Sequence, residues 1–297
     1  MKNNTPRVPS FVPFNFGGLD EKHSSPESSS VVILPVPYDS TASYMAGSRN
    51  GPEAIISASR NMELFDQELG HSPYVVGIHT LPFLERVAAS PDEMVESVSL
   101  VVGRELERGK YVVLLGGDHI LTLGAVRALK GTHKSLGVVQ FDAHADMRDS
   151  YEGTGMSHAC TGRRLVEVTS LLQAGVRSIS EEEHAFCRSS GIVSLSPSRM
   201  TDFAACLAAL PEHVYVTVDV DALDPSIMPA VGTPEPGGLA WNQILDALRE
   251  IARSKKVVGF DIVELCPIPG LVAPDFLVAK LVYKMLGYFF GRPAQSR

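Results

Sequence analysis

Acidic residues and histidines recur at every second position directly after an apolar run in the middle of the chain. The segment from residue 138 reads VVQFDAHADMRD, so Asp142, His144 and Asp146 follow the run VVQF. Side chains two positions apart on an extended backbone share one face, so these three groups would point the same way. Two carboxylates beside an imidazole repel each other and lose solvation unless a cation lies among them. The spacing therefore predicts a metal site.

Three further segments place polar groups behind an apolar run. GGDH follows the run YVVLL and supplies Asp118 and His119. DVDALDP follows HVYVTV and supplies Asp219 and Asp221. ELCP follows VVGFDIV and supplies Glu264. Open sheets of parallel strands hold ligands beyond the carboxyl ends of their strands, so these groups can meet in one site. The predicted metal ligands are His119, Asp142, His144, Asp146, Asp219 and Asp221.

The charge of this ligand set predicts two ions rather than one. Its four aspartates carry four negative charges, which two divalent ions would balance. Carboxylate and imidazole ligands without a thiolate favour a hard or borderline ion such as Mn²⁺. Two ions about 3.5–4 Å apart can generate a hydroxide at neutral pH and polarise a substrate. We therefore predict two Mn²⁺ per chain, with Asp118 as a supporting or helix-capping residue beside His119.

Short β-rich runs alternate with helix-like segments from residue 31 onwards. The predicted strands begin at Val31, Tyr74, Tyr111, Leu136, Ala174, Gly191, His213 and Val257. Continuous apolar strands separated by helices indicate a parallel sheet covered on both faces, which is an α/β fold. We predict one domain over residues 31–297, preceded over residues 1–30 by a polar arm or surface loop with the Ser-rich run EKHSSPESSS.

Composition excludes several classes of protein. The 26 basic and 34 acidic residues give a net charge of −8, which argues against nucleic acid as a partner. No apolar run reaches the roughly 20 residues that a membrane-spanning helix needs, and the first residues lack the apolar stretch of a secretory signal. The four cysteines are far apart and form no CxxC pair, so we expect reduced thiols. We predict a cytoplasmic protein that binds neither nucleic acid nor membranes.

These motifs resemble the ureohydrolase family, which includes agmatinases and arginases. The resemblance rests on TVDVDALDPSIMPAVGTPEPGGL, on PVPYDSTASYMAGSRNGPEAIISAS and on the two histidine motifs, and it covers residues 31 to about 290. It implies a three-layer α/β/α sandwich around a parallel sheet of about eight strands. It also implies two Mn²⁺ ions, a bridging hydroxide that hydrolyses a guanidino group to urea and an amine, and a homo-trimer or homo-hexamer.

The resemblance assigns roles to individual residues. It implies that Asp142 and Asp219 bridge the two ions, and that Asp146 also holds the hydroxide by a hydrogen bond. His158, in GMSHAC, matches a proton shuttle that protonates the leaving amine. Glu264 matches the carboxylate that pairs with the guanidinium, a task suited to two parallel N–H···O bonds. His158, Asp146 and Glu264 are thus the predicted catalytic residues.

The chain departs from the family pattern at three positions. Ile120 stands where the family often has Ser after GGDH, and Thr217 stands where Ser usually precedes the D-x-D motif. Cys266 replaces the Asn of a common E-V-N-P segment. None of these changes removes a predicted ligand, so we expect the chemistry to be kept and the surroundings of the site to differ.

The loop MRDSYEGTGMSH bears on the choice of substrate. Asp149 and Glu152 would favour a cationic tail, as on agmatine or its aminopropyl derivative, or they are simply solvated loop charges. Arg148 would instead attract a carboxylate, as on guanidinobutyrate. We predict conversion of agmatine to putrescine and urea, with Asp149, His158 and Glu264 binding substrate. The alternatives are aminopropylagmatine, guanidinobutyrate or arginine as substrate, a dinuclear phosphoesterase, or a non-catalytic metal-holding subunit.

Overall fold

The computed structural model describes residues 12–290 of the 297-residue chain. Within that range the chain forms eight strands and nine α-helices. The strands are β1 (Val31–Val36), β2 (Ile78–Thr80), β3 (Tyr111–Gly116), β4 (Leu136–Phe141), β5 (Ser170–Ala174), β6 (Val193–Leu195), β7 (His213–Asp219) and β8 (Lys256–Val263). The helices are α1 (Glu21–Ser24), α2 (Gly51–Ser59), α3 (Pro91–Glu107), α4 (Leu121–Thr132), α5 (Thr161–Val166), α6 (Glu181–Ser190), α7 (Phe203–Ala208), α8 (Trp241–Ser254) and α9 (Ala273–Phe290).

All eight strands form one parallel sheet in the order β2-β1-β3-β8-β7-β4-β5-β6. The four central strands are therefore β3, β8, β7 and β4, which are the strands that precede the four polar motifs. Their register is nearly level, because Phe141 pairs with Val218 and Asp219 pairs with Val263. The carboxyl ends of these strands thus meet at one edge of the sheet, and residues that follow them converge.

Helices cover both faces of the sheet. Helices α2, α7, α8 and α9 pack with one face in a single apolar core, and helices α3, α4, α5 and α6 pack with the other. Strands β1 and β4 are buried along their whole length, as expected for strands between two helical layers. The sequence prediction of a three-layer α/β/α sandwich with about eight parallel strands is confirmed.

Two strands lie elsewhere than their sequences predict. The fifth strand ends at Ala174, where the prediction began, because the preceding segment SLLQA forms it instead. Its polar Gln173 is buried and bonds across the sheet to Gln140, at 3.1 Å between Nε2 and Oε1, so a polar residue is satisfied inside the core. The second strand is shorter than the predicted run from Tyr74, because residues 73–76 form a 3₁₀ turn.

The amino-terminal segment packs against the domain where it is described. Residues 1–11 of the predicted polar arm lie outside the described residues. Phe16 is fully buried, its backbone N–H donates to Oγ1 of Thr80 at 3.0 Å, and the N–H of Gly17 donates to Oγ of Ser59 at 2.8 Å. Residues 15–19 therefore belong to the folded unit, while the division of the chain near residue 30 stays a prediction. No helix between residues 12 and 290 is long and apolar enough to cross a membrane.

Candidate metal centre

Six predicted ligands converge at the carboxyl edge of the sheet, where β3, β4 and β7 end. Nδ1 of His119 lies 3.1 Å from an oxygen of Asp142, 3.3 Å from one of Asp146 and 3.4 Å from one of Asp219. His119 and Asp142 are fully buried, and the other two carboxylates are nearly so. This part of the centre is a shielded cage of one imidazole and three carboxylates.

A second cluster lies beside the first and shares Asp142 with it. Nδ1 of His144 lies 2.9 Å from Oδ2 of Asp221 and 3.7 Å from Oδ1 of Asp142. Two sets of three side chains could each hold an ion, because the ligand atoms within each set lie within 4.8 Å of one another. One set is His119, Asp142 and Asp146, and the other is Asp142, His144 and Asp221. The arrangement offers two adjacent positions for cations, as the sequence predicts.

Backbone N–H groups orient the carboxylates. The N–H of Asp221 donates to Oδ1 of Asp219 at 2.9 Å, and the N–H of Ala143 donates to Oδ1 of Asp221 at 3.0 Å. The N–H of His144 donates to Oδ1 of Asp142 at 2.7 Å. In Asp219 and Asp221 these bonds occupy Oδ1, so that Oδ2 faces the histidines. Local i, i+2 geometry thus fixes the direction of the ligands before any ion is bound.

The surroundings of the histidines fit divalent cations. Among the described residues, Nδ1 of His119 has no hydrogen-bond partner, although three carboxylate oxygens surround it. A buried polar atom without a partner is costly, and a cation bound there would satisfy it together with the carboxylates. The site therefore has the donor types, the burial and the unpaired atom that a metal centre requires.

Burial and neighbouring carboxylates raise the pKa values of several groups in the two clusters. Burial and the neighbouring Asp142 carboxylate raise the pKa of Asp146 to about 7, and burial together with Asp221 raises that of Asp219 well above its usual range. Burial disfavours the charged form of His144, but the carboxylates of Asp142 and Asp221 outweigh it and raise its pKa to about 12. The site thus attracts positive charge strongly, whether as protons or as metal ions.

Two of the predicted catalytic residues adopt a left-handed backbone that non-glycine residues rarely use. Asp146 has a φ of 53° and Glu264 has a φ of 63°. Such conformations cost on the order of 1–3 kcal/mol each and persist where the surroundings enforce them. At Glu264 the backbone N–H donates to the carbonyl of Gly117 at 2.8 Å, and Oε1 accepts from the N–H of His119 at 2.8 Å. Both bonds fix Glu264 beside the metal ligands.

A buried hydrogen-bond chain supports His119 from behind. Its Nε2 lies 3.0 Å from Oγ1 of Thr217, which lies 3.2 Å from Oγ1 of Thr122. Thr122 and Tyr215 then donate to Oδ2 of Asp261 at 2.8 and 2.9 Å. When Nε2 carries the proton and donates it to Thr217, Nδ1 is free to bind a metal. Thr217 therefore keeps the hydroxyl that the usual Ser provides.

The other two departures from the family pattern have different surroundings. Ile120 is fully buried in the core that contains α3 and α4. Sγ of Cys266 donates to the carbonyl of Ala46 at 3.6 Å, and a Cβ atom added to Gly47 would lie 2.7 Å from that sulfur. Cys266 therefore packs tightly against the 46–47 backbone, where the positive φ of Gly47 (142°) also favours glycine.

A cavity of about 330 Å³ leads from the metal ligands towards solvent. His144, Asp146, Arg148, Tyr151 and His158 are among the residues that line it. A narrower adjoining space reaches Asp219, Asp221 and Glu264. The structure thus brings the predicted proton shuttle and the predicted guanidinium-binding carboxylate to the same site as the six ligands.

Asp149 does not join them. Its side chain is 68% exposed, and Oδ1 accepts from Nη2 of Arg164 at 2.9 Å and lies 3.7 Å from Arg163. It lines neither of the two spaces at the centre, whereas its neighbour Arg148 does and stacks 4.9 Å over the ring of Tyr151. The arginines of α5 hold Asp149 on the surface, which sequence spacing does not reveal.

Arg177 is a residue of the site that the sequence reasoning missed. Its guanidinium donates to the carbonyls of Gly175 at 3.0 Å, Asp221 at 2.8 Å, Glu235 at 2.7 Å and Pro236 at 3.0 Å. It therefore joins the end of β5 to the loop of Asp221 and to the GTPEPGG loop. A basic residue directly after an apolar segment, in AGVRSIS, was the available signal.

The chain belongs to the Arginase family, whose family model matches residues 29–287. It is 41% identical to the N(1)-aminopropylagmatine ureohydrolase of Synechocystis sp. over 87% of this chain and 89% of that protein. It is 35% identical to the agmatinase of Pyrococcus horikoshii over 86% of this chain and 90% of that protein. The crystal structure of the agmatine ureohydrolase of Thermoplasma volcanium superposes with a TM-score of 0.85 at 30% identity, covering 94% of each chain.

These relationships confirm the predicted family and the predicted class of enzyme. The protein is a ureohydrolase, a hydrolase that acts on guanidino compounds. The binuclear character of the family agrees with the two adjacent ligand clusters, and the parallel sheet agrees with the fold of its structural relatives.

Proposed function

We propose that this enzyme releases urea from N(1)-aminopropylagmatine and uses two Mn²⁺ ions held by the six ligands. The observation that carries the proposal is that residues of both ligand clusters line two adjoining spaces together with His158 and Glu264. The preference for the aminopropyl substrate has two supports. The Synechocystis relative with that name is more similar than the Pyrococcus agmatinase. The cavity of about 330 Å³ is lined by Tyr151 and Glu183 as well as by His144 and Asp146, a volume that favours a substrate with a long tail.

Agmatine is the second candidate substrate, and it is the one that the sequence motifs predict. The likeness to the Thermoplasma agmatine ureohydrolase over 94% of the chain favours it. Both molecules present the same guanidinium to the metal centre and differ only in the tail. Selectivity between the two substrates therefore depends on the residues of the outer cavity and not on the predicted metal ligands.

In this proposal Glu264 binds the guanidinium of the substrate. Burial and the neighbouring Asp118 raise the pKa of the Glu264 carboxyl well above its usual range. A guanidinium that enters the site carries the opposite charge and stabilises the ionised carboxylate, which then accepts charge-assisted N–H···O bonds. Because Oε1 already accepts from His119, the orientation of the carboxylate is set before substrate arrives. Positioning of this kind lowers the entropic part of the barrier.

The reaction adds water across the C–N bond to the tail and needs a proton at the departing nitrogen. Bound divalent ions would supply Lewis acidity, which lowers the pKa of water and polarises the substrate. Asp146, beside them, offers a carboxylate oxygen that can accept a hydrogen bond from that water. His158 lines the cavity and delivers a proton to the amine nitrogen as the C–N bond breaks. Urea and a protonated primary amine then leave.

Urea release tests the proposal directly. Metal-loaded protein is given aminopropylagmatine, agmatine, guanidinobutyrate and arginine separately, and kcat/KM is measured for each. We expect the highest value with aminopropylagmatine and a fall of at least about 100-fold in Glu264→Gln, the size of effect that a lost charged contact to the reacting group produces. Glu212→Gln, at an exposed residue paired with Lys256, is the matched control. Absence of urea with all four substrates would overturn the proposed function.

Loading the metal-free chain with Mn²⁺, Zn²⁺ or Mg²⁺ tests the choice of metal. We expect Mn²⁺ to give the highest activity at two ions per chain, because the donors are carboxylates and imidazoles without thiolate. A maximum at one ion per chain, or equal activity with Mg²⁺, would contradict a dinuclear manganese centre.

A further inference from the structure

We propose that Asp118, acting through the hydroxyl of Thr41, is a positioning residue that holds His158 with its Nε2 atom available to the substrate. The inference rests on the proposed function, because it assigns a purpose to the orientation of His158 in proton transfer. Asp118 is not one of the metal ligands in either cluster, yet it is buried directly beside them, with 1% of its surface exposed.

Thr41 links the two residues. Its Oγ1 donates to Oδ2 of Asp118 at 2.5 Å, and its backbone N–H donates to the same oxygen at 3.0 Å. A carboxylate only accepts hydrogen bonds, so the hydroxyl of Thr41 donates its single proton to Asp118. Toward its other neighbours, Oγ1 of Thr41 can therefore act only as an acceptor.

Both of those neighbours come from His158. The backbone N–H of His158 donates to Oγ1 of Thr41 at 2.9 Å, and the ring Nδ1 lies 3.3 Å from the same oxygen. Because that oxygen accepts, a hydrogen bond between the two atoms requires the proton on Nδ1, and Nδ1 in that form can also donate to Oγ of Ser157, which lies 3.4 Å away. The neutral ring then has its free lone pair at Nε2, which lies 3.3 Å from Oγ of Ser43 at the cavity wall. Nε2 is thus the atom that takes up a proton and gives it to the departing amine.

The chain of contacts crosses long distances in sequence. Thr41 follows β1, Asp118 follows β3 and His158 opens a 3₁₀ turn before α5, and the separations are 77 and 117 residues. Asp118 could merely anchor the loop that follows β1, since it accepts the backbone N–H of Thr41 as well. Substitution of the threonine hydroxyl separates the two roles, because the backbone bond survives it.

The test compares Thr41→Val, Thr41→Ser and Asp118→Asn with the wild-type metalloenzyme. Metal content per chain, KM, kcat and the solvent isotope effect on kcat are measured for each. We expect Thr41→Val to lower kcat by about tenfold or more, a fraction of what general acid catalysis contributes. KM and metal content should stay within about twofold, and the solvent isotope effect should rise because proton delivery becomes limiting. Thr41→Ser restores the hydroxyl and should restore kcat.

The control variant is Thr132→Val, which removes an exposed threonine hydroxyl bonded to the backbone of α4. Crystal structures of the metal-loaded variants give a readout that does not depend on turnover. The His158 ring should keep its place in Thr41→Ser and lose it in Thr41→Val. An unchanged kcat and ring position in Thr41→Val would overturn the inference, and so would a loss of metal that explains the loss of activity. If Thr41→Val does not fold, Asp118→Asn decides the matter by the same measurements.

Failure of the inference can be told from failure of the proposed function. A wild-type enzyme that releases no urea overturns the function, whatever the variants do. Urea release that is lost in His158→Asn but intact in Thr41→Val and Asp118→Asn keeps the function and overturns the positioning role.

Discussion

The guanidinium of Arg177 donates a 2.8 Å hydrogen bond to the backbone oxygen of Asp221, which ties the end of β5 to a metal-ligand loop 44 residues later. The same group donates to the carbonyl of Glu235 at 2.7 Å. Backbone carbonyls at loop ends need hydrogen-bond donors. The planar guanidinium of an arginine carries five N–H groups, so it can donate to several carbonyls at once. The hydrogen bonds of Arg177 therefore hold two loops of the site, those of Asp221 and Glu235, next to each other.

We expect Arg177→Lys to lower the free energy of unfolding by about 2 kcal/mol, since several bonds of roughly 0.5–1.5 kcal/mol each are lost and a lysine cannot reproduce the fork. The retention of metal after dialysis should fall too, because the Asp221 loop is released. Denaturant unfolding and elemental analysis measure the two effects. Arg199→Lys, at an exposed pair with Asp202, should change neither, and equal behaviour of both variants would contradict the role of Arg177.

Binding of Mn²⁺ at pH 7 should release more than one proton, because ligands must be deprotonated before they bind a metal. The pKa of His144, at about 12, keeps that ring protonated at this pH, and Asp146, with a pKa of about 7, is half protonated. The pKa values of His119 and Asp219 are raised as well, His119 by the Asp142 carboxylate against the opposing effect of burial, and Asp219 by burial. Lower pH adds protons that compete with the ions, so affinity should rise with pH. Calorimetric titrations in two buffers of different ionisation enthalpy count the protons. Metal uptake without proton release would show that the ligands were already ionised.

Asp149→Asn should leave kcat and KM within about twofold of the wild type, as is usual for exposed positions outside a site. The reason is that its carboxylate pairs with Arg164 at 2.9 Å and is 68% exposed, away from the cavity. Steady-state kinetics with aminopropylagmatine and agmatine measure this. A tenfold rise in KM for either substrate would support the substrate-binding role that the sequence predicts for Asp149.

Glu68 should stabilise the fold at neutral pH and lose that effect in acid. It accepts from Arg249 at 2.6 Å, from Lys284 at 2.7 Å and from Tyr288 at 2.8 Å, and these bonds, Arg249 first, lower its pKa from 4.5 to about 2. A lowered pKa means that stability is present above pH 4.5 and is lost as the pH falls towards 2.

The variant Glu68→Gln should accordingly reduce the free energy of unfolding at pH 7 by about 1 kcal/mol, the upper range for partly exposed ion pairs. Denaturant unfolding of both proteins at several pH values should show the difference shrinking below pH 4.5. A difference that stays constant with pH would mean that packing rather than charge is responsible.

Local patterns predicted the chemistry of the centre well. The alternation in DAHAD and in DVD places the ligands on one side of each strand end, and the i, i+2 bonds to Asp219 and Asp142 show why the spacing works. Such geometry involves only neighbouring residues, so it is contained in a short stretch of sequence. The start of α3 is local in the same way, since Ser90 caps it by accepting from the N–H of Glu93 and an apolar stripe follows.

Partners distant in sequence were not predictable in this way. The fifth strand was placed too late because Gln173 looks unsuitable for a buried strand until Gln140 is known to lie beside it. The bond between Arg164 and Asp149, 15 residues apart, likewise joins a helix to a loop. In both cases the deciding interaction depends on how separate elements pack.

The sequence by itself determined the ligand types, their spacing along each strand end and the parallel α/β architecture. Only the tertiary structure decided that β3, β8, β7 and β4 are neighbours and nearly level, so that four separate motifs meet in one site. It also decided which residues complete the site, as with Arg177 across the loops and Asp118 behind Thr41 and His158. Hydrophobic periodicity reports the burial of each segment, but strand order follows from the packing of the whole chain, which no single segment contains.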